Sequence, residues 1–128
     1  MGAQESGRPP LVLLTEEDSR VRGDIARYLK EEGFAVLEAG DSAEALAALD
    51  TDKAIRALVT DAHVQGEIDG FELASAAAER MPDLAVVLIS GHSDSSSGPV
   101  PAGGAFVAKP YVLEHLAPTL RRLMGDRG

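Results

Sequence analysis

Ala57-Leu58-Val59-Thr60-Asp61 is a short apolar run that ends on a carboxylate. Three similar runs end on groups able to meet it in space. Glu16-Glu17 follows Leu11-Val12-Leu13-Leu14-Thr15, Ser90 follows Ala85-Val86-Val87-Leu88-Ile89, and Lys109-Pro110 follows Ala105-Phe106-Val107-Ala108. Parallel strands of an open α/β sheet bring their C-terminal ends to one edge, where ligands bind. Carboxylates, a hydroxyl and an ammonium on that edge suit a divalent cation and a phosphoryl group.

Outward from these runs, strand-like and helix-like segments alternate, which argues for repeated βα units and a parallel sheet covered on both faces. The first strand is Leu11–Thr15, and a helix follows over Ser19–Glu32 with Val21, Ile25 and Leu29 on one face. Gly33 closes it. Phe34–Glu38 reads as the second strand, and Asp41 or Ser42 caps a short helix carrying Ala45, Leu46 and Leu49. The third strand ends at Asp61, Phe71–Arg80 reads as a helix stopped before Pro82, and Leu84–Ile89 is the fourth strand. Gly91–Gly104 contains four glycines and two prolines, so a fourth helix there is expected to be short or missing. Ala105–Ala108 is the fifth strand. The last helix starts near Tyr111 and presents Leu113, Leu116, Leu120 and Leu123, with a kink or a late start expected at Pro118.

Composition narrows the function classes. The chain has 128 residues and 45% hydrophobic content, enough for one core, with residues 1–9 read as a disordered tail and 10–125 as the domain. Twelve basic against 21 acidic residues give a net charge of −9. That balance opposes contact with nucleic acid or an anionic membrane. Without cysteine there is no thiolate chemistry, no disulfide and no Cys-based zinc site. His63, His92 and His115 lack close ligand spacing, so a histidine zinc site is not expected either. No run approaches the ~18 apolar residues of a membrane span. A cytoplasmic location is expected.

Five pieces, Val12-Leu13-Leu14-Thr15-Glu16-Glu17, Val59-Thr60-Asp61, Asp69-Gly70-Phe71-Glu72-Leu73, Leu88-Ile89-Ser90-Gly91 and Phe106-Val107-Ala108-Lys109-Pro110, resemble in this order the receiver domain of two-component response regulators. The resemblance covers about Leu11 to Met124. It implies a flavodoxin-like, doubly wound α/β fold with five parallel strands ordered 2-1-3-4-5. It further implies that Asp61 accepts a phosphoryl group from a histidine of a sensor histidine kinase or a histidine phosphotransfer protein. Mg²⁺ would be held by the Glu17 and Asp61 side chains and the main-chain carbonyl of His63, with Glu16 assisting through water. Ser90 and Lys109 would contact phosphoryl oxygens, and Phe106 would change rotamer together with Ser90. Three positions depart from the family pattern: Glu17 is one methylene longer than the usual aspartate, Gln65 replaces a common proline, and the fourth-helix region is eroded.

The residue types suit that chemistry. Phosphoryl transfer rests on positioning and charge stabilisation, and a cation offsets the repulsion between an anionic acceptor and an anionic donor. Lys109 supplies a mobile point charge. A Ser90 hydrogen bond formed only when phosphoryl is present favours one of two conformations, which is a switch. Each element also has a structural reading. Glu16, Glu17 and Asp18 can be solvated charge at a helix start, Asp61 a cap or turn residue, Lys109 a surface ion pair, Ser90 a helix cap and Phe106 a static half-buried ring.

The expected role is therefore a stand-alone phospho-accepting switch acting through an unknown protein target, not an enzyme. One alternative is a degenerate receiver that binds partners independently of phosphorylation; another is a phosphate sink or shuttle for a histidine kinase. A haloacid-type phosphatase needs a second aspartate shortly after the nucleophile, which Asp61-Ala62-His63 lacks. Ordering of residues 91–104 on phosphorylation is a further expectation.

Overall fold

The structure is a computed structural model that describes residues 9–62, 66–90, 105–108 and 112–124, with the backbone alone at residues 90, 105–108, 112 and 113. Five strands, β1 (Leu11–Thr15), β2 (Ala35–Ala39), β3 (Ile55–Asp61), β4 (Ala85–Ser90) and β5 (Ala105–Ala108), form one parallel sheet ordered β2-β1-β3-β4-β5. Four helices are described: α1 (Ser19–Glu31), α2 (Ser42–Thr51), α3 (Gly70–Arg80) and α4 (Val112–Met124). The doubly wound fold and strand order expected from the resemblance are both present. The expectation for Gly91–Gly104 lies outside the described residues, as does the tail over residues 1–8.

Strand alternation explains how the sheet is covered on both faces. Val12, Leu14, Val59, Val87 and Ile89 face one way and pack with Ile25, Ala26 and Leu29 of α1 and Leu116, Ala117 and Leu120 of α4. Leu13 and Leu58 face the other way, against Ala45 and Leu49 of α2 and Leu73 and Ala77 of α3. Val86 and Leu88 join that second face beside Phe71 and Ala74. Because side chains alternate with a period of two, an interior strand buried on both faces is apolar along its length, as β4 is from Ala85 to Ile89.

Element boundaries move by a residue where a local bond overrides the hydrophobic pattern. Phe34 donates its amide to the Leu29 carbonyl at 3.0 Å, so it belongs to the exit of α1 and β2 starts at Ala35. Leu84 likewise donates to the Met81 carbonyl at 2.9 Å, a turn that delays β4 to Ala85. Between the two candidate caps of α2, Asp41 is the one used, accepting from the Glu44 amide at 2.8 Å. The late start at Pro118 does not occur, because α4 already begins at Val112. Next to the proline, the Ala117 amide donates to the Tyr28 hydroxyl at 3.2 Å, a tie between α1 and α4.

The start of α3 is pressed onto the end of β3. Asp69 and Glu72 form a capping box, with the Glu72 amide donating to Asp69 at 2.9 Å and the Asp69 amide to Glu72 at 3.0 Å. Gly70 donates its amide to the Ala62 carbonyl at 2.9 Å. A Cβ on Gly70 would run into the Asp61 carbonyl oxygen and the Ala62 backbone, so glycine is required by close approach.

Two stability predictions follow from this packing. Gly70→Ala must displace main chain at Asp61–Ala62, and a loss of about 2 kcal/mol in urea unfolding is expected. The second concerns Thr15, fully buried at the end of β1, whose hydroxyl has no hydrogen-bond partner among the described residues. Thr15→Val removes the unpaired group, and a gain of about 1 kcal/mol is expected at an unchanged denaturant slope.

Candidate functional site

In this strand order the chain leaves β1 toward β2 on one side and later passes to β3 on the other. The gap between the C-terminal ends of β1 and β3 is thus the topological switch point, where open α/β sheets bind ligands. Thr15 pairs with Thr60, so Glu16 and Asp61 are the next residues of two adjacent strands. Such strands lie roughly 4.8 Å apart. On the other side Asp61 pairs with Ile89, and Ser90, the next residue, pairs with Ala108.

The three carboxylates after β1 have different fates. Glu16 is only 6% exposed, and its Oε2 accepts from the Asp18 amide at 3.0 Å. Solvated surface charge does not describe it. Asp18 is the N-cap of α1, accepting from the Arg20 and Val21 amides at 2.9 and 3.3 Å, a more specific role than the solvated charge at a helix start read from the sequence. Glu17, between them, is exposed. Of the pair that follows β1, one carboxylate is thus buried and the other exposed.

Asp61 is the last residue of β3 and is half-buried. It is neither a helix cap nor a loop residue; the caps of α1, α2 and α3 are Asp18, Asp41 and Asp69. Its main chain is held from two sides: the Thr60 hydroxyl donates to its carbonyl at 3.0 Å, and the next amide, of Ala62, donates to the Ile89 carbonyl at 2.8 Å. The side chain therefore leaves from a fixed point. Ser90 is the last residue of β4, one beyond the strand end read from the sequence, and Phe106 lies in β5, but their side chains are outside the description. Lys109 and His63 lie outside the described residues altogether.

All the acidic groups here offer oxygen, the donor preferred by a hard cation such as Mg²⁺. Among the described residues, no three Asp, Glu or His side chains gather as a metal-holding cluster. Mg²⁺ does not require one, since it keeps several waters and takes only one or two carboxylates. The residues present fit such an ion.

Sequence reading missed Arg22, whose guanidinium donates to the Glu16 carbonyl at 2.7 Å and to Glu38 at 3.1 Å. Nothing local marked it: the carboxylate four residues before it, Asp18, is taken up as the N-cap of α1, and Glu38 is 16 residues away. At the opposite edge of the sheet, a cleft of about 490 Å³ lies among Lys53, Arg56, Arg80 and Met81. Lys53 and Arg80 donate there to the Leu49 and Ala76 carbonyls near helix ends, at 3.3 Å each, and Arg80 also pairs with Asp50 at 2.8 Å. Those cations complete helix termini, and the cleft is remote from the carboxylates.

Comparison with known proteins agrees with the geometry. The response regulator receiver domain model matches residues 12–120. A putative NtrX-like response regulator of Rickettsia felis is 32% identical over 115 residues, 87% of this chain and 24% of that protein. The chain thus spans about a quarter of the length of such relatives. The receiver protein CpdR of Brucella abortus is 29% identical over 88% of the chain and 95% of its own length. A crystal structure of a response regulator receiver protein from Sinorhizobium medicae superposes with a TM-score of 0.85 at 28% identity, covering 94% of this chain and 98% of its own. No helix among the described residues is long and apolar enough to cross a membrane. With the strand order, the switch-point carboxylates and these likenesses together, the chain belongs to the response regulator receiver domain family.

Proposed function

We propose that this chain is a phospho-accepting switch in which Asp61 takes a phosphoryl group from a phosphohistidine of a sensor histidine kinase or histidine phosphotransfer protein. The observation that carries the reading is a half-buried aspartate ending the central strand β3, one strand away from the buried Glu16. In the transfer, an Asp61 carboxylate oxygen attacks phosphorus, the P–N bond breaks, and its electron pair leaves on the imidazole nitrogen. An acyl phosphate and a free histidine result. Bound Mg²⁺ would supply charge neutralisation for donor and acceptor oxygens. Asp61 and Glu17, with the His63 carbonyl, are its proposed direct ligands, and Glu16 its partner through water.

The remaining roles fall to groups on the same edge. Lys109 neutralises a phosphoryl oxygen, and Ser90 hydrogen-bonds another, in concert with Phe106. The Ser90 bond exists only in the phosphorylated state, so it biases a two-state equilibrium toward the form that binds a protein target. No product is turned over on an external substrate; the chain modifies itself, and the setting is cytoplasmic.

A second reading is a receiver that binds partners without phosphorylation or metal. The exposure and extra methylene of Glu17 favour it, because a longer, solvated arm orders less readily around a small ion. Amide shifts near Asp61 and Glu17 that saturate at millimolar Mg²⁺ speak for the switch, and a flat titration for the second reading.

Incubation with a small phosphodonor and Mg²⁺ is expected to add one acid-labile, hydroxylamine-sensitive phosphoryl group, read by intact mass. Asp61→Asn is expected to add none. An unmodified wild type, or equal modification of the variant, would defeat the proposal.

A further inference from the structure

We infer that Arg22 is the positioning residue for the acidic pair Glu16–Glu17, fixing the peptide between them so that the pair presents its carboxylates toward a cation; the inference rests on the phosphoacceptor reading above. Arg22 stands in the first turns of α1, its own amide bonded to the Asp18 carbonyl at 2.8 Å. From there its guanidinium reaches back. Nη1 donates to the Glu16 carbonyl at 2.7 Å, and Nε donates to Glu38 Oε1 at 3.1 Å.

Among the described residues, other arginines also bond a carboxylate and a carbonyl, Arg80 and Arg121, but those carbonyls lie away from the candidate site. The Arg27–Asp24 pair has side chains 68% and 56% exposed and spans three residues of one helix. Such a pair contributes little. Arg22 is only 21% exposed, and one of its partners is a main-chain oxygen at the mouth of the site. The peptide plane is rigid, so holding the Glu16 carbonyl also sets the direction in which Glu17 leaves. From the other side, the Glu16 amide donates to the Ala39 carbonyl at 3.1 Å. Glu16 is thereby fixed at both main-chain polar groups, one by β2 and the other by α1.

Glu38 completes the device by orienting the guanidinium from the end of β2. Gly40 borders the guanidinium closely: a Cβ there would sit 3.3 Å from Nη1, which would have to give by a few tenths of an ångström. Two bonds at fixed angles from one planar head call for arginine, since lysine offers a point charge with no fork. The role is therefore geometric as well as electrostatic. Arg22 also pairs its charge with Glu38 at the end of β2, beside the main chain of Glu16.

The test is an amide-detected Mg²⁺ titration of the full chain, with thermal melting alongside. Wild type, Arg22→Ala, Arg22→Lys, Glu38→Gln and the remote control Arg121→Ala are compared. Arg22→Ala is expected to weaken Mg²⁺ binding about tenfold, the lower end for loss of a partner that orients a ligand. Arg22→Lys recovers part of that loss, Glu38→Gln loses less than Arg22→Ala, and Arg121→Ala titrates like wild type. A wild type that never saturates overturns the phosphoacceptor reading and this inference with it. A saturable wild type beside an equally saturable Arg22→Ala overturns this inference alone. So does a loss of affinity that merely follows melting temperature across all the variants, Arg121→Ala included.

Discussion

Parallel pairing of β1 with β3, from Leu11 opposite Ile55 to Thr15 opposite Thr60, is the constraint on which the rest of the molecule depends. It sets the register that makes Glu16 and Asp61 neighbours on a common edge. Parallel pairing also sends the described connections, through α1, α2 and α3, across a face of the sheet, because parallel strands cannot be joined by a tight hairpin. The crossovers bury both faces, and burial on both faces is what the apolar runs before Glu16, Asp61 and Ser90 are made of. Site and core are thus two consequences of one pairing pattern.

A sheet of this kind gathers like charges at its functional edge, and the fold has to offset their repulsion. Helix N-termini contribute first. α1, α2 and α3 begin at the edge where β1, β2 and β3 end, each capped by an aspartate whose charge is absorbed by the amides of the first turn. Asp18, Asp41 and Asp69 are therefore acidic residues already used up by structure. Arg22 contributes second, as the cation inserted between the β1 and β2 termini. The acidic groups proposed to act, Glu16, Glu17 and Asp61, are other members of the same edge, and Glu16 too is bonded, to the Asp18 amide. An overall charge of −9 adds a general attraction for cations that is not specific to this edge.

The fold was legible because its signals are redundant: strand-sized apolar runs, periodic helices and glycine at a helix exit all point to the same βα repeat. Boundaries were less so, since single amides at Phe34 and Leu84 choose a turn that hydropathy cannot see. The switch-point carboxylates were legible as types in a pattern, but their separation was not. Nothing in Glu16-Glu17-Asp18 distinguishes the buried carboxylate from the exposed one and the cap, because that sorting comes from how α1 docks on the sheet. Arg22 was illegible for the same reason. Its partners, Glu16 and Glu38, are six and 16 residues away, and only the packing of α1 beside the β1 and β2 termini joins them.

Glu17 is where these constraints meet. The family pattern has the shorter aspartate there, so an extra methylene has to be accommodated between the main chain and any ion. The main chain is a poor place to absorb it. Glu16 is bonded at its amide to Ala39 and at its carbonyl to Arg22, and Asp18 is bonded into the first turn of α1. Shifting residue 17 outward by the length of a carbon–carbon bond would break at least one of these bonds. Accommodation therefore falls to the side chain, which is exposed and has rotamers available, or to a water that takes the place of a direct oxygen contact. Either route costs conformational entropy on binding rather than stability in the free protein. On the proposed reading, the longer side chain is thus one that the fold accommodates and that only an occupied site would register, as a weaker cation affinity.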